Sequence, residues 1–373
     1  MDIGIPKESS PREHRVAISP RGVRALTRSG HRVFVETGAG NEVSHADSDY
    51  QSAGATVVYT RMEVYGRTEL VLGVYAPHPA EYELLQPEQA VMAFWALAGA
   101  RAESLESLRE RQVTAIGIEI IEDDEGQAPV VMSMSEIAGP LALMVGSGLL
   151  LNEFGGKGVL LTGAPGVPPA NVVILGAGTL GQAAARTALG MGAEVLLLDR
   201  SVAHLRRALQ GLSRPVASMV ATVTNIERAL SFADLVVASP AIRGEPAPVL
   251  VTRDMLSRMK PRSVVMDLSI DMGGCFETSR PTYFPQPTYE VDGILHFCVP
   301  NLPAIAARSA TVALSNALVP YLLGMAGKSF DQALRESPDL RRGTYLYRGR
   351  CVKESIARMF GLSHEPLPAA TEG

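Results

Sequence analysis

A glycine-rich turn near the middle of the chain has the spacing of a dinucleotide-binding motif. Its six residues are, in order, Gly176, Ala177, Gly178, Thr179, Leu180 and Gly181. In this pattern the first glycine permits a tight turn, the second lets a pyrophosphate approach the backbone, and the third lets the helix pack closely on the strand. The turn follows the apolar run 172–175 and opens a helix-like segment, which is the context that makes the pattern specific.

An acidic residue accompanies this motif. Asp199 ends the next apolar run, close to the distance of about 20 residues at which such motifs place an acid. A carboxylate there accepts hydrogen bonds from the adenosine ribose and repels a 2′-phosphate, so it favours NAD over NADP. The neighbouring Arg200 opposes this preference slightly. The alternative, a plain strand-to-helix turn, leaves Asp199 unexplained, and the sequence therefore predicts NAD as the cofactor.

Two other polar clusters could take part in chemistry at the ends of strand-like runs. Asp271 follows Asp267 on a glycine-containing loop, where it could reach a nicotinamide and transfer a proton, or simply cap the turn. Arg15 follows the first apolar run and could clamp a carboxylate bidentately. Its charged neighbours are expected to make ordinary surface pairs. These neighbours are Lys7, Glu8, Glu13 and His14.

Short apolar runs alternate with helix-like segments along the first third of the chain and again after residue 172. This rhythm predicts an α/β fold with two Rossmann-like domains, in which doubly wound parallel sheets flank a cofactor cleft. Ser133 or Ser135 is expected to cap a long apolar helix, and residues 221–223 are expected to form a strand. The arginine-rich segment 341–350 is interpreted as a solvated face.

Composition bounds the class of protein. The 373 residues exceed the size of a single core, and a net charge of −5 argues against nucleic acid as a partner. Three widely spaced cysteines predict neither a disulfide framework nor a metal site, which fits the cytoplasm. The apolar stretches 137–151 and 312–327 fall short of the roughly 20 residues of a membrane span, so no membrane is expected.

Several longer motifs make the sequence familiar. They are IGIPKE with E-x-RVA-x-SP near the amino terminus, MSEIAG, GGKG, ILGAG-x-LG, IDMGGCFETSRPT and PTYEVDGILHFCVPNLP. With these motifs the chain resembles, over nearly its whole length, the family of alanine dehydrogenases and nicotinamide nucleotide transhydrogenase α-type domains.

The resemblance implies an organisation and a reaction. Residues 1–133 and 302–373 would form a discontinuous substrate domain, with an NAD-binding domain, 134–301, inserted between them. The expected assembly is a homo-oligomer, either a hexamer or a dimer. The implied reaction is oxidative deamination of a small amino acid, or reductive amination of a keto acid. The implied roles are carboxylate binding by Arg15, cofactor contact by Ser135, ribose binding by Asp199, catalysis by Asp271 and lining of the nicotinamide site by Asn301.

Two positions depart from the family pattern. Where alanine dehydrogenases read VKEP, this chain has Tyr75 in place of the substrate-binding lysine. Where they read YLHLA, Ala96 replaces the acid/base histidine. We therefore expect poor turnover of alanine and a pocket reshaped by Tyr75 and Trp95, although Trp95 could equally be core. His78 is either a substitute acid or an exposed loop histidine.

These observations favour an NAD-dependent amino-acid dehydrogenase-like oxidoreductase that acts on a small amino, imino or keto acid. Two alternatives stay open at this point. One is a tailoring enzyme that cycles bound NAD internally while it eliminates or cyclises an amino acid. The other is a catalytically silent NAD-binding homologue, which the loss of both lysine and histidine would explain.

Overall fold

The computed structural model describes residues 1–240 and 246–367. The chain forms two compact units, one made of Met1–Met134 together with the chain from Ala304 onward, and the other of Ser135–Pro303. Each unit has its own sheet.

The amino-terminal part of the first unit alternates strands with helices. Its strands are β1 (Asp2–Ile5), β2 (Arg32–Glu36), β3 (Thr56–Val58), β4 (Leu70–Tyr75), β5 (Ala90–Phe94) and β6 (Thr114–Gly117). Its helices are α1 (Pro20–Arg28), α2 (Asp47–Ser52), α3 (Arg61–Arg67) and α4 (Ala102–Glu110). Helix α1 begins where the sequence favours a start, because the Ser19 side chain accepts the Gly22 N–H and a proline occupies the first turn.

The long helix α5 (Pro129–Leu149) begins earlier than expected. Pro129 is its first residue, a position where the missing proline N–H costs no hydrogen bond. Ser133 and Ser135 therefore lie inside the helix, and the prediction that one of them caps it is wrong. The Ser133 hydroxyl instead donates to the Val130 carbonyl at 2.8 Å.

The second unit contains a sheet that is covered on both faces. Its strands are β7 (Asn171–Leu175), β8 (Glu194–Asp199), β9 (Ala217–Val220), β10 (Leu235–Ala238), β11 (Val264–Asp267), β12 (Thr288–Val291) and β13 (Ile294–Phe297). Its further helices are α6 (Thr179–Gly190), α7 (Val202–Gln210), α8 (Val223–Phe232) and α9 (Arg253–Leu256). Along β7, Val172 and Ile174 join one apolar cluster and Val173 joins another, as the two-residue period of a strand requires.

The strand expected at 221–223 lies earlier, at β9. Thr222 is the N-cap of helix α8, since its side chain accepts the Asn225 N–H, and Val223 is the first residue of that helix. Residues 222 and 223 therefore belong to the helix start and not to a strand.

The carboxyl-terminal part returns to the first unit. It consists of α10 (Ala307–Gly324), α11 (Phe330–Glu336), α12 (Pro338–Arg342), β14 (Thr344–Tyr347), β15 (Arg350–Cys351) and α13 (Glu354–Phe360). All four residues of β14 are buried, so the interpretation of 341–350 as a solvated face is wrong for this strand. Strands β14 and β15 form a hairpin whose turn residues, Arg348 and Gly349, both have positive φ.

Both sheets have the strand order of a doubly wound fold. The first runs β15-β14-β6-β5-β4-β1-β2-β3 and the second β12-β13-β11-β10-β7-β8-β9. The six successive strands β1–β6 pair in parallel, and so do β7–β11 with β13. The predicted fold class, α/β with two doubly wound sheets, is confirmed. The sequence analysis did not predict the antiparallel strands that extend one edge of each sheet.

Two helical segments are longer than the sequence indicates. Pro129–Leu149 has 21 residues and Leu302–Gly324 has 23, so by length and composition both could cross a membrane. Their most apolar windows are 39% and 50% buried inside the protein, and core helices of soluble proteins pass the same test.

Candidate functional site

The glycine-rich turn joins β7 to α6 at the point where the strand order of the second sheet reverses. Gly176 has φ +112°, a conformation that residues with a side chain rarely adopt. A Cβ on Gly181 would lie 1.8 Å from the Gly176 carbonyl oxygen, whereas a Cβ on Gly178 would meet nothing within 4 Å. The first and third glycines therefore close the turn, and the space over the second is open for a ligand to approach the backbone.

Substituting the third glycine should damage the turn. We expect Gly181→Ala to lower the free energy of unfolding by about 1–3 kcal/mol, because the methyl group and the Gly176 carbonyl cannot share the same space. The matched control is Gly190→Ala in the same helix, where a Cβ meets no atom within 4 Å. That change should be neutral or stabilise by up to about 1 kcal/mol. Urea unfolding midpoints compare the two variants, and equal midpoints would contradict the steric argument.

The first turn of α6 suits an anionic group. Gly178 is its N-cap and supplies no side-chain hydrogen bond, so the first amides, including those of Thr179 and Leu180, keep their donors. The helix has 12 residues, long enough for its dipole to favour negative charge at this end. The residues present thus fit the pyrophosphate of a dinucleotide.

Asp199 lies at the end of β8 and holds the turn in place. Its carboxylate is 9% exposed, and it accepts the Ala177 N–H at 2.8 Å and the Ser201 N–H at 2.7 Å, one on each oxygen. A carboxylate oxygen can accept more than one hydrogen bond, so Oδ2, which accepts the Ala177 N–H, can also accept from a ribose hydroxyl. Arg200 is exposed, and His204 lies 3.4 Å from Asp199.

Asp271 and Asn301 lie together in the second unit. Asp271 is exposed on a short 3-10 turn, Ile270–Met272, and its Oδ2 accepts the Asn301 N–H at 3.2 Å. Asn301 has φ +53°, a left-handed conformation that asparagine tolerates better than most residues. The structure thus brings together two residues that are 30 positions apart and were predicted separately.

Arg15 is more deeply buried than we expect for a side chain whose only task is to bind a ligand. It is 2% exposed, and Glu13, which is 6% exposed, accepts hydrogen bonds from its Nε and one Nη, each at 2.8 Å. The other Nη lies 3.3 Å from the Met134 sulfur. The expectation that Glu13 forms a surface pair is therefore wrong. The signal was present in the sequence, since a carboxylate two residues before an arginine can reach its guanidinium.

Glu8, like Glu13, is one of the four charged neighbours of Arg15 that were expected to form surface pairs. Its carboxylate accepts the Val74 N–H at 2.7 Å and the Tyr75 N–H at 3.3 Å, so it lies where β1 and β4 end side by side. Burial raises the pKa of Glu8 to about 7, and Glu13 adds to this effect. The two backbone amides and Arg15 act in the opposite direction.

The raised pKa of Glu8 predicts a pH-dependent stability. At pH values between the ordinary pKa of a glutamate and about 7, Glu8 is more protonated in the folded protein than in the unfolded chain. The folded protein therefore loses stability as the pH rises through this range. Glu8→Gln should therefore gain stability relative to the unmodified protein, by at most about 3 kcal/mol, between about pH 5 and pH 8.

Denaturant titrations at the two pH values measure this difference. Glu103→Gln on the exposed side of α4 is the control and should follow the unmodified protein at both pH values. A Glu8→Gln variant whose relative stability is the same at both would show that Glu8 keeps an ordinary pKa.

Tyr75 lies beside Phe94, and the sequence analysis did not predict this contact. The two residues are register partners on β4 and β5, and their ring centroids are 6.2 Å apart. The Arg15 guanidinium carbon lies 6.0 Å from the centre of the Tyr75 ring. The structure thus places an aromatic ring against Phe94 at position 75, where the resemblance implies a lysine.

Trp95 is buried in the apolar core of the first unit. It is 7% exposed, and its indole N–H donates to the Val91 carbonyl at 3.2 Å. The next residue, Ala96, is exposed and has φ +46°. Trp95 directly follows β5 and packs in an apolar cluster of the first unit, which agrees with the core alternative, while its part in lining a pocket stays a prediction.

His78 and Ser135 have less specific surroundings. His78 is exposed and caps a 3-10 turn, where its Nδ1 accepts the Ala80 N–H at 3.3 Å. This exposed position agrees with the loop-histidine alternative, and a role as a substitute acid stays a prediction. Ser135 is half-buried within α5. Among the described residues, no group of three or more His, Cys, Asp or Glu side chains could hold a metal ion.

Both halves of the sequence match one family. Residues 4–138 match "Alanine dehydrogenase/PNT, N-terminal domain", and residues 142–354 match "Alanine dehydrogenase/PNT, C-terminal domain". Alanine dehydrogenase from Halomonas elongata is 39% identical over 365 residues, which is 98% of each chain. Alanine dehydrogenase from Mycobacterium tuberculosis is 40% identical over 362 residues, which is 97% of each chain.

Solved structures agree with the sequence matches. A structure of L-alanine dehydrogenase superposes with a TM-score of 0.92 at 40% identity, covering 97% of this chain and 99% of the other. The transhydrogenase from Sinorhizobium meliloti gives a TM-score of 0.80 at 26% identity, covering 95% and 100%. The matches confirm the predictions of an oxidoreductase of amino acid metabolism with NAD as its cofactor. The chain belongs to the alanine dehydrogenase/PNT family.

Proposed function

We propose that this protein moves a hydride between NAD and a small amino, imino or keto acid, and that it acts poorly on alanine. The observation that supports this most directly is the side chain of Tyr75, which is 39% exposed at the carboxyl end of β4. A phenol there can donate a hydrogen bond but cannot supply the positive charge with which a lysine polarises a carbonyl. Loss of such a group costs a factor of about 10² to 10³ in rate.

Arg15 is the proposed group for the substrate carboxylate. Its two bonds to Glu13 fix the plane of the guanidinium before any substrate arrives, and such preorganisation lowers the entropic cost of binding. Together with the bond to the Met134 sulfur they use three of the five guanidinium N–H groups, which leaves one N–H on each Nη for the substrate carboxylate. Glu13 also neutralises part of the charge, which weakens the attraction for the substrate and makes the contribution of Tyr75 more important.

Asp271 is the proposed proton-transfer residue. Its exposed carboxylate, with Oδ2 oriented by the Asn301 N–H, can take the proton released when an amino acid is oxidised to an imine. Bound NAD would take the hydride at C4 of its nicotinamide, so the two-electron oxidation balances. In the reverse direction Asp271 returns the proton. Tyr75 would donate a hydrogen bond to the reacting group, and Asn301 would line the nicotinamide site.

The dinucleotide would be held by the residues around the glycine-rich turn. We assign the pyrophosphate to the amides after Gly178, the adenosine ribose to Asp199, and a further cofactor contact to Ser135. The carboxylate of Asp199 supports NAD over NADP because it would repel a 2′-phosphate.

A homo-oligomer in the cytoplasm is the setting we propose. Apolar side chains on the two long helices remain exposed, with Met144 at 62% and Val312 at 44%. Apolar surface of this kind is commonly covered by a second copy of the same chain. Light scattering on the purified protein would measure the mass of the assembly, and a monomer would contradict this proposal.

A substrate panel tests the proposed reaction. Purified protein is mixed with NAD and a series of L-amino acids that differ in side-chain size and polarity, alanine included. The reverse assay uses NADH, ammonia and the corresponding keto acids. NADH absorbance follows both directions, and NAD binding is measured separately by calorimetry.

The expected result is turnover on at least one amino acid or keto acid, with alanine at least about a hundredfold less efficient. Alanine as the best substrate would refute the predicted effect of Tyr75 and Ala96. NAD binding without NADH change on any acid would refute the dehydrogenase reaction. Stoichiometric NAD that copurifies and stays oxidised while substrate disappears would instead identify internal cycling of the cofactor.

A further inference from the structure

Asp267, the last residue of β11, is a buried carboxylate to which neither the resemblance nor the proposed reaction assigns a role. It is 0% exposed and lies four residues before Asp271. One oxygen accepts the Ser269 N–H at 3.0 Å and the Cys275 thiol at 3.4 Å. The other accepts the Cys275 N–H at 2.7 Å and the Ser279 hydroxyl at 2.5 Å.

These bonds draw the two ends of the Asp271 loop towards one point. Residues on both sides of the turn, Ser269 before it and Cys275 after it, bind the same carboxylate, so the residues between them must project as a tight turn. Gly274 has φ +89°, and a Cβ there would lie 2.8 Å from Asp267 Oδ2. In the described part of the chain the partners of Asp267 are neutral donors. The buried charge is therefore stabilised by hydrogen bonds whose geometry the loop must satisfy.

The same carboxylate is linked to the segment that carries Asn301. The Ser279 hydroxyl, which donates to Asp267, also lies 3.8 Å from the Cys298 sulfur, which donates to it. Cys298 directly follows β13 and precedes Asn301, whose N–H donates to Asp271. The chain and these hydrogen bonds therefore form a closed ring, which we call the anchor ring: Asp267, Asp271, Asn301, Cys298 and Ser279.

We propose that Asp267 is a positioning residue for proton transfer by Asp271, and that it acts through Ser279 and Cys298. The inference rests on the proposed function, because it assigns to the anchor ring the task of holding Asp271 and Asn301 at hydrogen-bond distance. Catalytic geometry is sensitive at this scale, since a shift of about 1 Å can lower a rate about a hundredfold. A merely structural carboxylate would support the fold without favouring one orientation of Asp271.

Ser279→Ala removes the hydroxyl that links Asp267 to Cys298 and changes the anchor ring at this one position. Ser279 is half-buried, so loss of its hydroxyl should leave the protein folded. We expect kcat to fall about tenfold, with the KM for NAD within about twofold of the unmodified protein. Ser279→Thr keeps the hydroxyl and should restore most of the activity. Thr278→Val is the neighbouring control, since its hydroxyl binds His296 and not the ring, and it should leave kcat unchanged.

A double-mutant cycle separates positioning from general damage. If Ser279 acts through Asp271, then Ser279→Ala should lower activity no further once Asp271 is already asparagine. An equal loss in both backgrounds would overturn the proposal, and so would an equal loss in Thr278→Val.

Hydrogen exchange measured by mass spectrometry gives a readout that needs no turnover. We expect Ser279→Ala to speed exchange in the peptide that spans 268–276 and to leave β7 and β8 unchanged. If the unmodified protein oxidises no acid in the panel, the proposed function fails, and unchanged exchange in Ser279→Ala would then overturn the anchor ring as well. Faster exchange would support the ring even in that case.

Discussion

Replacing Asp271 by asparagine should lower kcat by about a thousandfold while the affinity for NAD changes by less than about twofold. The amide has nearly the shape of the carboxylate and keeps an oxygen that can accept the Asn301 N–H. In the unmodified protein the Asn301 nitrogen lies 3.2 Å from Asp271 Oδ2. What it loses is the ability to take and return a proton. The effect should thus fall on the chemical step and not on the fold.

Stopped-flow measurement of NADH formation on the best substrate of the panel, combined with NAD titration, checks this expectation. Asp254→Asn is a suitable control, because Asp254 is an exposed acid on α9 of the same unit. A loss smaller than about tenfold in Asp271→Asn would mean that another group transfers the proton. A comparable loss in NAD affinity would mean that Asp271 acts on the cofactor.

Restoring the family residues at positions 75 and 96 should raise alanine turnover by at least about a hundredfold. Tyr75→Lys supplies the positive charge, and Ala96→His supplies an acid/base group. The backbone is suited to the second change, because Ala96 has φ +46° and histidine occupies this left-handed region more readily than most residues. Ala96 is also exposed, so the imidazole has room.

A matched variant shows whether the histidine must stand at position 96 or whether any added histidine nearby suffices. The double variant Tyr75→Lys with Ala96→His is compared with Tyr75→Lys and Ala98→His, which places the same side chains with the imidazole two residues further on. The kcat/KM for alanine should rise only in the first. Equal values would show that Tyr75 and Ala96 do not by themselves account for the proposed poor turnover of alanine.

The glycine-rich turn and Asp199 lie where the sequence analysis placed them, because their positions depend on short stretches of sequence. The glycine-rich turn is defined by six consecutive residues, and its steric requirement at Gly181 involves the carbonyl of Gly176 only. Asp199 could be placed because it ends β8, the short strand that follows α6. Such local constraints are visible in the residues themselves.

The parts that were missed depend on contacts between distant residues. Glu8 meets the backbone of Val74 and Tyr75, and nothing in the sequence around Glu8 indicates that partner. For Trp95 the sequence left the pocket and the core open, because its burial depends on the helices that cover its sheet and not on its neighbours in the chain. The β12–β13 hairpin is different, because the turn Asp292–Gly293 is a known hairpin signal that the sequence already contained.

The sheet of the first unit is assembled from both ends of the chain, and this determines the order in which a newly made protein can fold. Strand β14 pairs with β6 across more than 200 residues, as in the register of Thr344 with Ile116. On the ribosome, β1–β6 must therefore wait with an unpaired edge until the last strands have emerged, while the second unit, Ser135–Pro303, is already complete. During that interval the edge of β6 is open to pairing with other chains. Synthesis in cells should thus be more sensitive to carboxyl-terminal truncation than the distance of β14 from the cofactor site would indicate.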